Sequence, residues 1–167
     1  MAELLSSTIA LALGAAFSFL LARRLPVPER KWIWLSFVAH VMGACAKVFI
    51  VFYYYGDGDM DSYIRFSRQI AELIRMDPGQ WLLPYVEMGL QMEVQVHYLP
   101  PGDSGSTRTM YAFTAVHQAV FGTTRFGLSL FVAAFSLASK VAVYLVFREH
   151  FPAQYRNRIA VAVLLLP

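Results

Sequence analysis

Charge and cysteine are both scarce in this chain. Of its 167 residues only 15% are charged, against roughly 25% in an ordinary soluble domain. The shortage is uneven. The stretches 4–22, 32–55 and 126–147 hold only two charged side chains between them, Lys47 and Lys140. The single cysteine, Cys45, excludes an internal disulfide and any Cys/His metal spacing, and is expected to be a small packing residue. No Gly-xxx-Gly pair occurs in the apolar stretches, so the sequence offers no ground for a helix-dimer claim. Together these absences exclude a soluble globular enzyme, a disordered tail, a disulfide-framed secreted domain and a nucleic-acid module. A pI of 9.1 would suit nucleic acid, but the basic residues flank the apolar runs and form no polar patch.

What is present in their place is hydrophobic length. The composition is 57% hydrophobic, and each stretch matches the roughly 17–25 apolar residues that cross a bilayer as a helix. The expected fold class is all-α: a polytopic membrane protein with three full spans, about 4–22, 32–55 and 126–147, and the start of a fourth at 159–167. The first run is no signal peptide, because Glu3 precedes it and Arg23 and Arg24 follow it, the reverse of the signal-peptide order. The segment 23–31 carries four positive charges and one negative, and 148–158 is also net positive. By the positive-inside rule both face the cytoplasm. The N-terminus and the acidic loop 56–125 then lie outside, as in a bacterial inner membrane. Residues 159–167 make only half a span, so the sequence is expected to be the N-terminal part of a longer protein, forming a single transmembrane domain.

A loop of this length is expected to carry structure of its own. Residues 61–76 place Tyr63, Phe66, Ile70, Leu73 and Ile74 at helical spacing, with Arg65, Arg68, Glu72 and Arg75 between them. This amphipathic helix is expected to lie at the membrane interface, the plain alternative being a helix packed on other protein. Asp61 and Ser62 are candidate caps for it. Asp77-Pro78 starts a second helix, with Pro84 a kink inside it. Pro100-Pro-Gly-Asp-Ser-Gly-Ser106 is a flexible segment. A short helix, 110–121, follows behind Thr107 or Thr109 and ends at Gly122.

The stretch Tyr53-Tyr-Tyr-Gly56-Asp57-Gly58-Asp59-Met60-Asp61-Ser62-Tyr63 carries the chemistry. Three carboxylates alternate over five residues where a span meets the outer surface. Like charges this close repel unless they share a cation or a proton. Asp57 and Asp59 are candidate ligands for a divalent cation such as Mg or Mn, held by hard oxygen atoms. Asp57, Asp59 or Asp61 could equally act as a general base. The plain alternative is that Asp59 or Asp61 caps the following helix and favours its positive end. The calcium-loop pattern is absent, since no Glu follows at the required position. Within the spans, Lys47 and Lys140 are expected to snorkel or to pair structurally, and His97 and His117 to sit in ordinary polar surroundings.

An outward helix leading into Tyr-Tyr-Gly-Asp-Gly-Asp-Met-Asp-Ser-Tyr, followed by an amphipathic helix, resembles the first extracytoplasmic loop of the GT-C superfamily of polytopic membrane glycosyltransferases. The resemblance covers roughly residues 45–125. It implies sugar transfer from a polyprenyl-phosphate-linked donor, with a loop aspartate as catalytic base or metal ligand. Carried over by position, the candidates are Asp57, Asp59 and Asp61, with Asp59 first for its central place. Arg65, Arg68 and Arg108 become candidates for the substrate phosphate, since a guanidinium fork matches phosphate oxygens. The chain departs from many members in having an extra helix, 4–22, ahead of the one that reaches the loop. Membrane lipid is an expected contact, and nucleic acid is not. A competing expectation is a non-catalytic scaffold or accessory subunit that docks partners of a membrane complex through this loop. A part of a polysaccharide polymerase or flippase is a third.

Overall fold

A computed structural model describes residues 1–56, 58–96, 98 and 105–165, with the side chains of residues 52 and 53 outside that description. Among the described residues there is no strand. The helices are α1 (Ala2–Arg24), α2 (Val27–Ile50), which continues into a π turn (Val51–Tyr55), α3 (Asp59–Met76), α4 (Pro78–Gly89), α5 (Gly105–Phe121), α6 (Arg125–His150) and α7 (Arg156–Ala160), which runs into a second π turn (Val161–Leu165). Three of them, α1, α2 and α6, are long and apolar enough to cross a membrane. The contacts cluster in two units. One comprises Leu4–Ile50 and Phe126–Pro167, the other Met1–Glu3 and Val51–Arg125.

The helix bounds differ from the sequence expectation for local reasons. The expected loop 23–31 shrinks to Leu25 and Pro26. A residue before proline is pushed out of the α region, which ends α1 at Arg24. Pro28 then falls in the first turn of α2, where its missing N–H removes no helical bond. The second long apolar helix therefore begins at Val27, five residues before Trp32. Helix α6 extends to His150, three residues beyond the apolar run, and α7 begins at Arg156. The chain end at Pro167, like Leu166, lies outside the described residues.

The first unit has an inverted pattern of burial. Its buried α1 positions are Ala10, Gly14, Ser18 and Ala22, and Ser6 begins the same row: a small residue every fourth position. Large apolar side chains such as Leu13, Leu20, Val38, Met42, Phe135 and Val146 are exposed instead. Small residues let helix backbones approach closely, and large apolar ones suit a hydrocarbon surround. At Gly14 an added Cβ would come within 2.9 Å of the Phe37 ring. Ser18 Oγ donates back to the carbonyl of Gly14 at 2.8 Å, which leaves no buried hydroxyl unsatisfied there. The core is Leu25, Ile33, Leu137, Val141, Tyr144, Ala160 and Leu164. Ser36 Oγ of α2 donates to the carbonyl of Leu164 at 2.8 Å and ties the second π turn to that helix.

Glu29 was expected to be one charge of a cytoplasmic loop. It is buried in the first turn of α2. Tyr144 Oη donates to its Oε2 at 2.8 Å, and Arg148 Nε to the same oxygen at 2.7 Å. Arg156 Nη1 stands 3.7 Å from Oε1. A carboxylate that would be costly to bury alone is thus met by two donors from α6 and a second positive charge from α7. Beside it Trp32 Nε1 donates to Asn157 Oδ1 at 3.0 Å.

The second unit is a three-helix cluster in which α3 packs on both α5 and α4. Ile70, Ile74, Tyr85, Met88, Tyr111, Ala112 and Ala115 form its core. The apolar face of α3 that suggested an interfacial helix is buried here: Met60, Ile64, Ile70, Ala71 and Ile74 all lie inside. Ser67 Oγ donates to the carbonyl of Tyr111 at 3.0 Å, and Gln118 Nε2 to that of Ile64 at 2.8 Å. Arg75 Nε reaches the carbonyl of Ala119 at 3.0 Å, and its Nη2 that of Gln118, so one guanidinium closes the C-terminal turn of α5. Gly122, at φ 79°, supplies the left-handed residue that ends this helix. Helix α5 begins at Gly105, ahead of both threonines expected to cap it. Thr109 Oγ1 instead donates to the carbonyl of Gly89 at 2.6 Å and joins α5 to α4. Helix α4 starts as expected, with Asp77 Oδ1 accepting from the Gln80 N–H and Pro78 in the first turn. Most of the flexible segment expected at 100–106 lies outside the described residues.

Candidate functional site

The site is built at the start of α3. The π turn ends at Tyr55, and Gly56 turns the chain with φ 75°, a conformation that glycine adopts without a Cβ clash. Gly58, not Asp61 or Ser62, is the N-cap residue, and it makes no side-chain cap bond. Asp59 and Asp61 therefore both fall in the first helical turn, where the orphan N–H groups favour negative charge. Residues two apart do not face each other on a helix, and the two carboxylates separate accordingly. Asp59 is exposed and Asp61 is half-buried. Asp57 lies outside the described residues.

Asp61 has a charged partner. Arg125 Nη2 stands 3.0 Å from its Oδ1. Arg125 is the first residue of α6, and its own N–H donates to Glu3 Oε2 at 3.0 Å. Glu3 thus satisfies an orphan donor at that helix start while Arg125 extends to α3.

Asp61, Ser62, Arg65 and Arg68 of α3 share a groove of about 460 Å³ with Thr123 and Arg125. Three guanidinium groups against one carboxylate leave it net positive, and two hydroxyls add neutral hydrogen-bonding capacity. Arg65 also stacks over the Phe66 ring at 4.7 Å from its centroid, which restricts its freedom. Such a groove suits an oxyanion whose oxygens can be shared among planar forks. Two of the three arginines expected at a phosphate, Arg65 and Arg68, are brought together here. Arg108 is elsewhere, lining a groove of about 790 Å³ with Met88, Gln91 and Glu93 among others.

Comparison with family models, with curated proteins and with solved structures returned no match.

The residues that sequence reasoning left out are Arg125 and Thr123. Some sixty positions separate them from the aspartates, and only folding joins them. The available signal was that Arg125 is the charge immediately before the third apolar run. Among the described residues no three His, Cys, Asp or Glu side chains converge on a metal position. Of the two carboxylates expected to share a divalent cation, Asp59 is exposed and Asp57 is outside the description.

His117, Tyr85 and Tyr111 of this unit are buried. Burial pushes the His117 imidazole down to about 4, which keeps it neutral at physiological pH. Its Nε2 lies 3.5 Å from Thr124 Oγ1, and its ring leans on Phe121. Burial likewise raises the Tyr85 and Tyr111 hydroxyls. Tyr85 Oη both accepts from the Tyr98 N–H at 3.1 Å and donates to the Tyr98 carbonyl at 3.2 Å. These groups serve packing rather than the groove. His97 lies outside the described residues.

Proposed function

We propose that this chain is part of an integral membrane glycosyltransferase that takes a sugar from a polyprenyl-phosphate-linked donor on the extracytoplasmic face. The observation that carries the reading is the groove itself. Arg65, Arg68 and Arg125 meet Asp61, Ser62 and Thr123 in a chain with three helices of spanning length.

The reaction is a displacement at the anomeric carbon. The acceptor oxygen forms a bond to that carbon, and the bond from the carbon to the phosphate oxygen breaks. The bonding electron pair leaves with the phosphate, which the arginines hold. The acceptor's hydroxyl proton passes to a carboxylate. Asp61 is the carboxylate that lines the groove, and Asp59, the first choice from sequence, is the alternative two residues earlier. A divalent cation, if held by Asp57 and Asp59, would supply positive charge to the leaving phosphate.

In this reading the basic segments 23–31 and 148–158 face the cytoplasm of a bacterial inner membrane. The N-terminus and residues 56–125 lie outside, and a fourth span starts near residue 159. The interfacial helix is α4 rather than 61–76. Its exposed apolar side chains are Leu82, Leu83 and Val86, with Leu90 just past its end and the half-buried Glu87 beside them.

The test is a transfer assay in proteoliposomes with a short-chain polyprenyl-phosphate sugar. Asp61→Asn should lower turnover by about a hundredfold or more, as loss of a general base does. Full turnover in both Asp59→Asn and Asp61→Asn, at normal expression, would remove the basis of the reading. The bare face of α4 also favours a second reading, a non-catalytic subunit that docks a membrane partner through this helix. Co-purification of a stoichiometric partner in mild detergent, lost in Leu83→Glu, would support it.

A further inference from the structure

Asp61 and Arg125 neutralise each other in a groove that otherwise attracts anions. The carboxylate Oδ1 and the guanidinium Nη2 are 3.0 Å apart, with the side chains 19% and 52% exposed. A pair this exposed is weakly held. A phosphate group offers Arg125 a stronger, bidentate partner than a single carboxylate oxygen does. Arg65 and Arg68 on the same groove keep such an anion close to Arg125.

We infer that the Asp61–Arg125 pair is a substrate-operated latch: a phosphate oxyanion entering the groove draws Arg125 away and so frees the Asp61 carboxylate. This inference rests on the glycosyltransferase reading only for its consequence. Under that reading the donor binds first, and the base becomes competent only once the donor is in place. The Arg125 N–H donates to Glu3 Oε2 at 3.0 Å, a bond that does not involve the side chain. Only the side chain has to turn, a motion of the fast rotamer class.

Competition makes a prediction that simple charge removal does not. If Asp61 competes for Arg125, neutralising Asp61 strengthens anion binding through Arg125. If Asp61 acts only as a nearby negative charge, the gain is the same with or without Arg125. The experiment is a double-mutant cycle on the full chain in lipid nanodiscs, read by calorimetric titration. One arm uses inorganic phosphate and the other a short-chain prenyl phosphate, which separates a free anion from a lipid-linked one.

Asp61→Asn should tighten binding by about two- to fivefold, the range that an exposed ion pair allows. Arg125→Ala should weaken binding, and Asp61→Asn added to Arg125→Ala should then change nothing. This coupling in either arm supports the latch. An equal gain in both backgrounds, or no coupling in either arm, overturns it. Arg125→Lys serves as a second background, keeping the charge while losing the fork. The titration needs no turnover, so loss of the sugar-transfer reading and loss of the latch are separate results.

Discussion

Tyr144 donates its hydroxyl proton to Glu29 at 2.8 Å, across 115 residues of sequence. The same carboxylate oxygen accepts from Arg148 one helical turn further on. Helices α2 and α6 are thereby locked in register at their basic ends, with Arg156 of α7 completing the ring. Apolar contact alone specifies a register weakly among helices whose exteriors are uniformly greasy. A buried carboxylate with two hydrogen-bond donors and a further guanidinium nearby specifies it sharply, because every displaced register leaves a charge unpaired.

Glu29→Ala should therefore lower the thermal stability of the detergent-solubilised protein, by about 2–4 kcal/mol, since it strands two guanidinium groups and a hydroxyl. Glu29→Gln keeps the shape and one acceptor, and should cost less. Melting monitored by circular dichroism checks the order. Equal melting of the wild type and Glu29→Ala would show that the ring is dispensable.

Gly89 and Ala112 bring α4 and α5 into close approach. A Cβ built at Gly89 would lie 2.7 Å from the Ala112 Cβ, and that methyl has no rotamer by which to retreat. Gly89→Ala should push the helices apart at a cost of about 1–3 kcal/mol. The bond from Thr109 to the Gly89 carbonyl would be strained at the same time. Limited proteolysis should cut Gly89→Ala faster than the wild type within residues 51–125. A compensating Ala112→Gly should restore resistance.

His117 ties stability to pH. Its folded value, about 4, is lower than its unfolded value of about 6.5. The unfolded chain binds the extra proton between those two values, so stability rises with pH through that window and is flat above it. As pH falls from about 6.5 to 4, up to about 3 kcal/mol should be lost through this group. His117→Gln should flatten the dependence in melting curves measured across that range. An unchanged slope would show that other groups carry it.

The outward side of α4 makes a prediction about depth. A fluorophore attached through Leu83→Cys should be quenched by brominated lipid chains, with Cys45 first replaced by Ala. The same label at Arg68→Cys, on the charged face of α3, should not be. Equal quenching at both positions would leave α4 without a special relation to the bilayer.

Much of this protein was legible before folding. Three helices with length and apolarity for a membrane follow from hydrophobic runs, because a backbone shielded from water must satisfy its own hydrogen bonds. The Asp77-Pro78 start and the Gly122 stop were legible because capping is local chemistry. The four-residue row of small side chains in α1 was also there to be read, but a search for glycine pairs alone passes over a seam built from serine and alanine.

Other features were decided only by tertiary structure. Periodicity showed that residues 61–76 have an apolar face, but the pattern is the same whether lipid or protein covers it, and α4 and α5 cover it here. Glu29 read as a loop charge because its partners lie on α6 and α7, more than a hundred residues away. Of three alternating aspartates, composition could not choose. The fold brings Asp61 to Arg125, since a helix sends residues two apart to different sides and only one of those sides meets the start of α6.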